Sequence, residues 1–243
     1  MATRHCHNLR FKLAEGVIFE FREPIVNITR RAFTAALSLT GLGLLAGFSP
    51  LRLIDGAMAQ SASEVAKPQS LPDMALGPAT SPVTITEYAS MTCGHCANFN
   101  ETVFPKIKSE YIDSGKIRYV FREFPLDIKA AAGSMLARCI AKDDAPKYFA
   151  VIDLLFKQQE AWVVKNTTET LTRIGKQAGL TQAQVEDCLK DQALLDKIAA
   201  DQKYAADVLK VQSTPTFFIN GEMLKGEQSF EEFSKRINSM LKS

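Results

Sequence analysis

Three histidines and one tryptophan in 243 residues leave little material for a metal centre or an aromatic ligand box. Basic and acidic side chains nearly cancel, 29 Lys/Arg against 27 Asp/Glu. No long run of one sign breaks that balance, so the electrostatic footprint of a nucleic-acid binder is missing. Internal repeats, low-complexity tracts and a phosphate-binding glycine loop are absent too. What remains is 46% hydrophobic and 23% charged. That composition suits one globular domain with room for an inserted subdomain.

The first 59 residues differ from the rest. They hold seven of the basic and four of the acidic residues, leaving 22 and 23 in the remainder. Arg30-Arg31 precedes an apolar stretch of small and aliphatic residues, and Ala57-Met58-Ala59 offers a small-x-small site. Charged region, apolar region and cleavage site together read as an export signal, and the arginine pair resembles the twin-arginine pattern. Cleavage before Gln60 is expected; the alternative is an uncleaved anchor, for which Ala32 to Leu45 is short. Export places the cysteines in an oxidising compartment. Cys6 leaves with the signal, and Cys93, Cys96, Cys139 and Cys188 remain.

Residues 60–73 are small, polar and proline-containing and read as a linker. VTITEY (83–88) alternates as a strand, with Val83, Ile85 and Glu87 on one face. From Cys93 to Asp113 the apolar residues recur every four, which predicts a helix kinked by Pro105 and closed by Gly115. A second strand is predicted over 116–124. Helices follow at about 128–141, 145–159, 168–178, 182–189 and 191–209, with Asn166–Glu169 and Thr181–Gln184 as capping pairs. Strands at 216–219 and 222–224 flank an Asn220-Gly221 turn, and Ser229 caps a last helix. The fold class is therefore α/β: β-α-β, a helical block, then β-β-α. Residues 74–126 and 210–243 form one sheet domain, and 127–209 an all-helical insertion.

Cys93-Gly-His-Cys96 falls at the first strand-to-helix turn. A structural zinc site needs four ligands, commonly in two close pairs. Here one close pair stands alone, and Cys139 and Cys188 lie 49 residues apart. Haem attachment needs histidine after the second cysteine, and position 97 is Ala. A redox pair suits the position. Residues i and i+3 on a first helical turn bring two sulfurs within bonding reach. The helix N-terminus, with His95 beside it, favours the Cys93 thiolate, while Cys96 lies a turn inside as the resolving thiol. Glu87, six residues before Cys93, reads either as a buried proton-transfer group or as a surface acid on an edge strand. Pro215 at a strand start reads as an ordinary trans proline. Cys139 and Cys188 read as a disulfide, worth on the order of 4 kcal/mol by loop entropy, or as two buried thiols. Trp162 is assigned to the core of the insert.

The CGHC at a helix start, the Thr214-Pro215 before TFFING, the helical block between them and the PVTITEYASMTCGHC and FREFPL segments resemble the DsbA-like branch of the thioredoxin superfamily, over about residues 74–243. The resemblance implies a thioredoxin fold with a helical insertion and a periplasmic thiol–disulfide oxidoreductase. Its redox-active disulfide is Cys93–Cys96, and it needs no other cofactor. It implies that Thr214-Pro215 is cis beside the disulfide and pairs with substrate peptide, and that Glu87 is the acid beneath the site. It also implies a cation for Glu87, for which Lys116 or Arg118 is available. The implied partners are reduced exported proteins and a DsbB-like membrane protein that reoxidises the pair. With only residues 60–73 before the fold, a monomer is expected. The Gly-His dipeptide and Thr214 depart from the best-known DsbA, which keeps an isomerase or reductase open beside the oxidase. A non-catalytic chaperone and a metal-handling module are the further alternatives.

Overall fold

The computed structural model describes residues 61–242. The export signal, Cys6 and the cleavage site lie outside these residues. Residues 61–66 form a short helix, α1. Then come β1 (Met74–Leu76), β2 (Val83–Ala89), α2 (Gly94–Thr102), α3 (Phe104–Ile107) and β3 (Ile117–Glu123). The helices α4 (Ile128–Ala141), α5 (Ala145–Lys157), α6 (Thr167–Gln177), α7 (Gln182–Lys190) and α8 (Gln192–Asp207) follow. The chain closes with β4 (Thr216–Ile219), β5 (Glu222–Lys225) and α9 (Phe230–Met240).

The five strands form one sheet in the order β1-β3-β2-β4-β5, with β2 and β3 parallel and the other pairings antiparallel. Strand alternation splits the apolar residues between two faces. Val83, Ile85, Phe121, Phe217 and Ile219 point to the first face, where Phe99 of α2 and Phe233 and Ile237 of α9 complete the core. Phe99 lies tilted against Phe217 and Phe233, which meet edge to face, with all three centroids 4.7 to 5.5 Å apart. Tyr88 and Phe218 point to the second face and pack with Ala205, Leu209 and Val65.

Val65 corrects the linker reading of 60–73. Residues 61–66 are helical and docked: Ser61 Oγ donates to the Gly221 carbonyl at 2.7 Å, and Arg122 Nη1 donates to the Val65 carbonyl at 2.9 Å. Their polar composition hides one buried valine in a segment otherwise facing water. Strand β1, just after that segment, was not expected either; its three residues are too few to show alternation. Gly77 follows β1 with φ +82°; a Cβ there would lie 2.2 Å from the Ile117 carbonyl oxygen, so only glycine lets the chain turn so close to β3.

The helix expected over Cys93–Asp113 is broken rather than kinked. It ends at Thr102, resumes with Pro105 in the first turn of α3, and runs into a π-helical turn over Lys108–Ile112. Proline lacks the N–H that a continuous helix would need. Asn166 sits at a helix start without a side-chain cap, whereas Thr181 and Gln184 form both bonds of a capping box.

The insert packs α4 against α5, α6 and α7. Trp162, on a π-helical turn over Glu160–Lys165, is fully buried and donates its indole N–H to the Leu155 carbonyl at 2.8 Å. Cys139 on α4 and Cys188 on α7 are joined in a disulfide, with Cα atoms 5.8 Å apart. The expected boundary at 209 assigns α8 to the insert, yet Ala205 near its end covers the sheet's second face. A buried cluster ties insert to sheet. Glu123, last in β3, accepts from Arg138 Nη2 of α4 at 2.7 Å and from the Tyr148 hydroxyl of α5 at 2.6 Å. Arg138 also donates to the Pro72 carbonyl at 2.6 Å.

Candidate active site

Strand β2 ends at Ala89, and a short loop delivers Cys93 to the N-cap of α2. The cap is the sulfur itself: Cys93 Sγ accepts the Cys96 backbone N–H at 3.4 Å. The free N–H groups of a helix start converge on this atom, and the helix dipole adds to their pull. The loop is held from behind. Met91 is fully buried, and Gln159, from the insert, donates its side-chain amide to the Met91 carbonyl at 2.9 Å and the Cys93 carbonyl at 3.0 Å. Gly133 on α4 makes room: a Cβ there would lie 3.0 Å from Trp162 and 3.3 Å from Met91.

From across the sheet, Thr214-Pro215 reaches the same sulfur. The bond is cis. The Thr214 carbonyl faces Cys93, whose thiol donates to it at 3.3 Å. The Thr214 hydroxyl is buried and has no other partner. Strand β4, which begins beside this proline, pairs with β2, so two segments 121 residues apart in sequence meet at one sulfur.

Cys93 and Cys96 stand as free thiols, Cys93 half-buried and Cys96 fully buried. Their environments push them apart. The Cys93 thiol is lowered to about 5: the Cys96 thiol hydrogen-bonds the anion, and the Thr214 side chain and the backbone N–H groups of Cys96 and His95 add to this against partial burial. Cys96 is pushed far up by burial and by its bond to Cys93, with the charge of Glu87 adding to it. One sulfur is therefore a ready thiolate near neutral pH, and its neighbour keeps its proton.

Glu87 lies on central strand β2 and is 4% exposed, so the reading as an edge-strand surface acid is not what the structure shows. Burial raises its pKa to about 8, opposed by a 2.6 Å hydrogen bond from the Tyr119 hydroxyl. Neither expected cation reaches it. Lys116 lies over the Tyr111 ring, and Arg118 lines a cavity with Thr84 and Thr86, whose residues point to the sheet's second face. Tyr119 takes that place, on the same face of β3 as Phe121, the register partner of Glu87. Alternation along β3 is the signal that identifies it.

A carboxyl raised above its unfolded value holds a proton that the unfolded chain releases. Stability is then fully present below about 4.5 and declines as pH rises toward about 8. Glu87→Gln removes that dependence. Its melting temperature is expected to exceed the wild type's, by more at pH 8 than at pH 5. An equal shift at both pH values would refute the burial of an ionisable proton here.

His95 is exposed, and its Nδ1 lies 3.1 Å from Glu227 Oε2. Nothing in the sequence pattern marks Glu227. It follows β5, and with His95, Thr214 and Ser229 it lines a groove of about 570 Å³ beside Cys93. On the other side of the site Leu126 and Ile128 are exposed, 54% and 72%. Asp127 between them accepts from the Thr92 hydroxyl at 2.7 Å and caps α4.

The thioredoxin family model matches residues 69–239. The chain belongs to the thioredoxin superfamily. Its DsbA-like branch is identified by solved structures: the thioredoxin-fold protein alpha-DsbA1 of Wolbachia pipientis is 33% identical, with a TM-score of 0.68 over 74% of this chain and 96% of that one. The "Probable disulfide bond formation protein D" of Bacillus anthracis is 32% identical over 179 residues, 69% of this chain and 77% of that protein. A "Putative protein-disulfide oxidoreductase" of Rickettsia bellii is 39% identical over 150 residues, 61% of this chain. The match takes in 57% of that rickettsial protein's length. The thioredoxin fold with its helical insertion is thus the architecture of the DsbA-like branch.

Proposed function

We propose that this DsbA-like chain is a thiol–disulfide oxidoreductase of the periplasm, and that it introduces disulfides into reduced exported proteins at Cys93-Gly-His-Cys96. The observation that carries the reading is the split between the two sulfurs, Cys93 lowered to about 5 at a helix N-cap and Cys96 buried and raised behind it. A stabilised thiolate favours the reduced pair, which makes the disulfide a good oxidant.

In the oxidised pair, a client thiolate attacks Cys93 Sγ. The Cys93–Cys96 bond breaks, and Cys96 leaves and takes a proton, for which the buried Glu87 carboxyl is the nearby acid. The client's second thiolate then attacks the client sulfur of the mixed disulfide. Cys93 departs as its stabilised thiolate, the client gains a disulfide, and the pair has accepted two electrons. In this scheme the Thr214 carbonyl, which contacts the Cys93 sulfur, accepts a backbone N–H from the client strand flanking the attacked cysteine. Reoxidation falls to a membrane partner of the DsbB kind, and no cofactor beyond the cysteine pair enters the scheme. Relatives named for disulfide bond formation support oxidation over isomerisation.

The test pairs the Cys93–Cys96 reduction potential with oxidation and isomerisation assays on a reduced and a scrambled client. A potential well above that of thioredoxin, with oxidation exceeding isomerisation, is expected. A thioredoxin-like potential would assign the chain to reduction instead.

A further inference from the structure

Glu227 sits in the turn between β5 and α9 and aims its carboxylate at the first turns of α2. Oε2 is 3.1 Å from His95 Nδ1, and Oε1 accepts a hydrogen bond from Asn98 Nδ2. The Glu227 side chain is 25% exposed, the His95 side chain 77%. It lines the same groove as Thr214, whose carbonyl touches Cys93. The other charged groups around this corner are Glu87 beneath the cysteines, Asp127 behind Thr92, and Lys106 and Glu231 beside Phe230 and the start of α9. Asp153 of α5 also accepts from an α2 side chain, Asn100 Nδ2 at 3.0 Å, further along the helix; Glu227 is the carboxylate that meets His95 in its first turn.

We propose that Glu227 is a positioning residue that sets the oxidising strength of the Cys93–Cys96 pair. Its carboxylate holds the imidazole of His95 and lies against the N-terminal turn of α2. It thereby offsets part of the positive field that favours the Cys93 thiolate. A weaker field stabilises the thiolate less, so the pair gives up its disulfide less readily. This rests on the reading of that pair as the redox centre and assigns a residue that moderates it. The helix start and the Gly-His dipeptide act in one direction, and the carboxylate acts against them. The exchange itself is unchanged: a client dithiol loses two electrons, and the Cys93–Cys96 disulfide gains them.

Glu227→Gln keeps the size and one acceptor oxygen, for the Asn98 amide, and removes the charge; Glu227→Lys reverses it. Two readouts on the whole protein test the idea: the Cys93 ionisation midpoint from thiolate absorbance, and the equilibrium constant with reduced and oxidised glutathione. In Glu227→Gln the midpoint is expected to fall by about 0.3 to 1 pH unit, and the equilibrium to move about two- to tenfold toward the reduced protein. Glu227→Lys should move both further in the same direction. Unchanged readouts in both variants overturn the proposal, as does a shift of the opposite sign. A lower melting temperature with neither readout moved overturns it too, leaving Glu227 a structural contact. Failure of the wild-type pair to equilibrate with glutathione would overturn the redox-centre reading itself. That case is told apart because the thiolate midpoint still responds to Glu227.

Discussion

Replacing Cys93 with serine is expected to reduce client oxidation to the uncatalysed background, a loss of at least about a thousandfold, because a serine hydroxyl does not ionise in this range and cannot enter thiol exchange. The loss should come with no large change in fold. Cys93 Sγ caps α2 by accepting the Cys96 N–H, and serine is itself a favoured N-cap residue. Cys96→Ser should behave differently. It keeps the attacking sulfur and removes the resolving one, so it should accumulate mixed disulfides when offered disulfide-bonded clients. Cys96→Ala, which leaves no donor at that position, should raise the Cys93 midpoint, since the Cys96 thiol is the largest contributor to lowering it. The two serine variants together separate catalysis from passive client holding. A chaperone without redox chemistry would retain client binding and protection in Cys93→Ser. Full oxidation activity in that variant would sink the assignment of Cys93 as the nucleophile.

The second large effect lies away from the cysteines. Arg138→Ala leaves the Glu123 carboxylate buried, with only the Tyr148 hydroxyl to hold it. Removing one partner of a buried pair costs about 3–5 kcal/mol, because the remaining charge has no counterion and little water. Denaturant unfolding should show that loss as a lower midpoint with an unchanged slope. The double change Glu123→Gln with Arg138→Met should recover part of it, since replacing both charges removes the penalty of stranding one. A single-variant loss below about 1 kcal/mol would mean that water reaches Glu123 and the pair is not the clamp between sheet and insert.

Much of this was legible in the amino-acid order. Alternation in VTITEY fixes the face of Glu87, and the i, i+3 spacing at a helix start separates the two sulfurs. Asn220-Gly221 does form a tight turn, with φ of 47° and 89°. Other features depend on contacts that local pattern does not encode. Tyr119 and Glu87 are 32 residues apart and meet through strand register alone. Gln159 reaches the Cys93 loop from the insert and Glu227 reaches α2 from the β5–α9 turn, each as one polar residue among many in its segment. The helix expected over 93–113 is interrupted at Val103 and ends in a π-helical turn, because periodicity records which residues are apolar while Pro105 decides where the hydrogen-bond ladder stops. The docking of residues 61–66 went unread because one buried valine and hydrogen bonds to distant segments carry it, neither of which shows in local composition. The cis state of Thr214-Pro215 was open on spacing alone and was implied by family resemblance.

The ends of the sheet have a consequence for the proposed action on unfolded chains. The outermost strands, β1 and β5, are three and four residues long. An exposed strand margin is a template on which an extended chain can add itself, and short margins give it little to grip. On the proposed function, a reduced client finds few free backbone groups along these two edges of the described sheet. In the proposed reading, the peptide group it does meet is the Thr214 carbonyl beside the reactive sulfur. Brevity at the rim would keep the encounter reversible: the client pairs where exchange occurs, and nothing elsewhere on the sheet retains it once its own disulfide has closed.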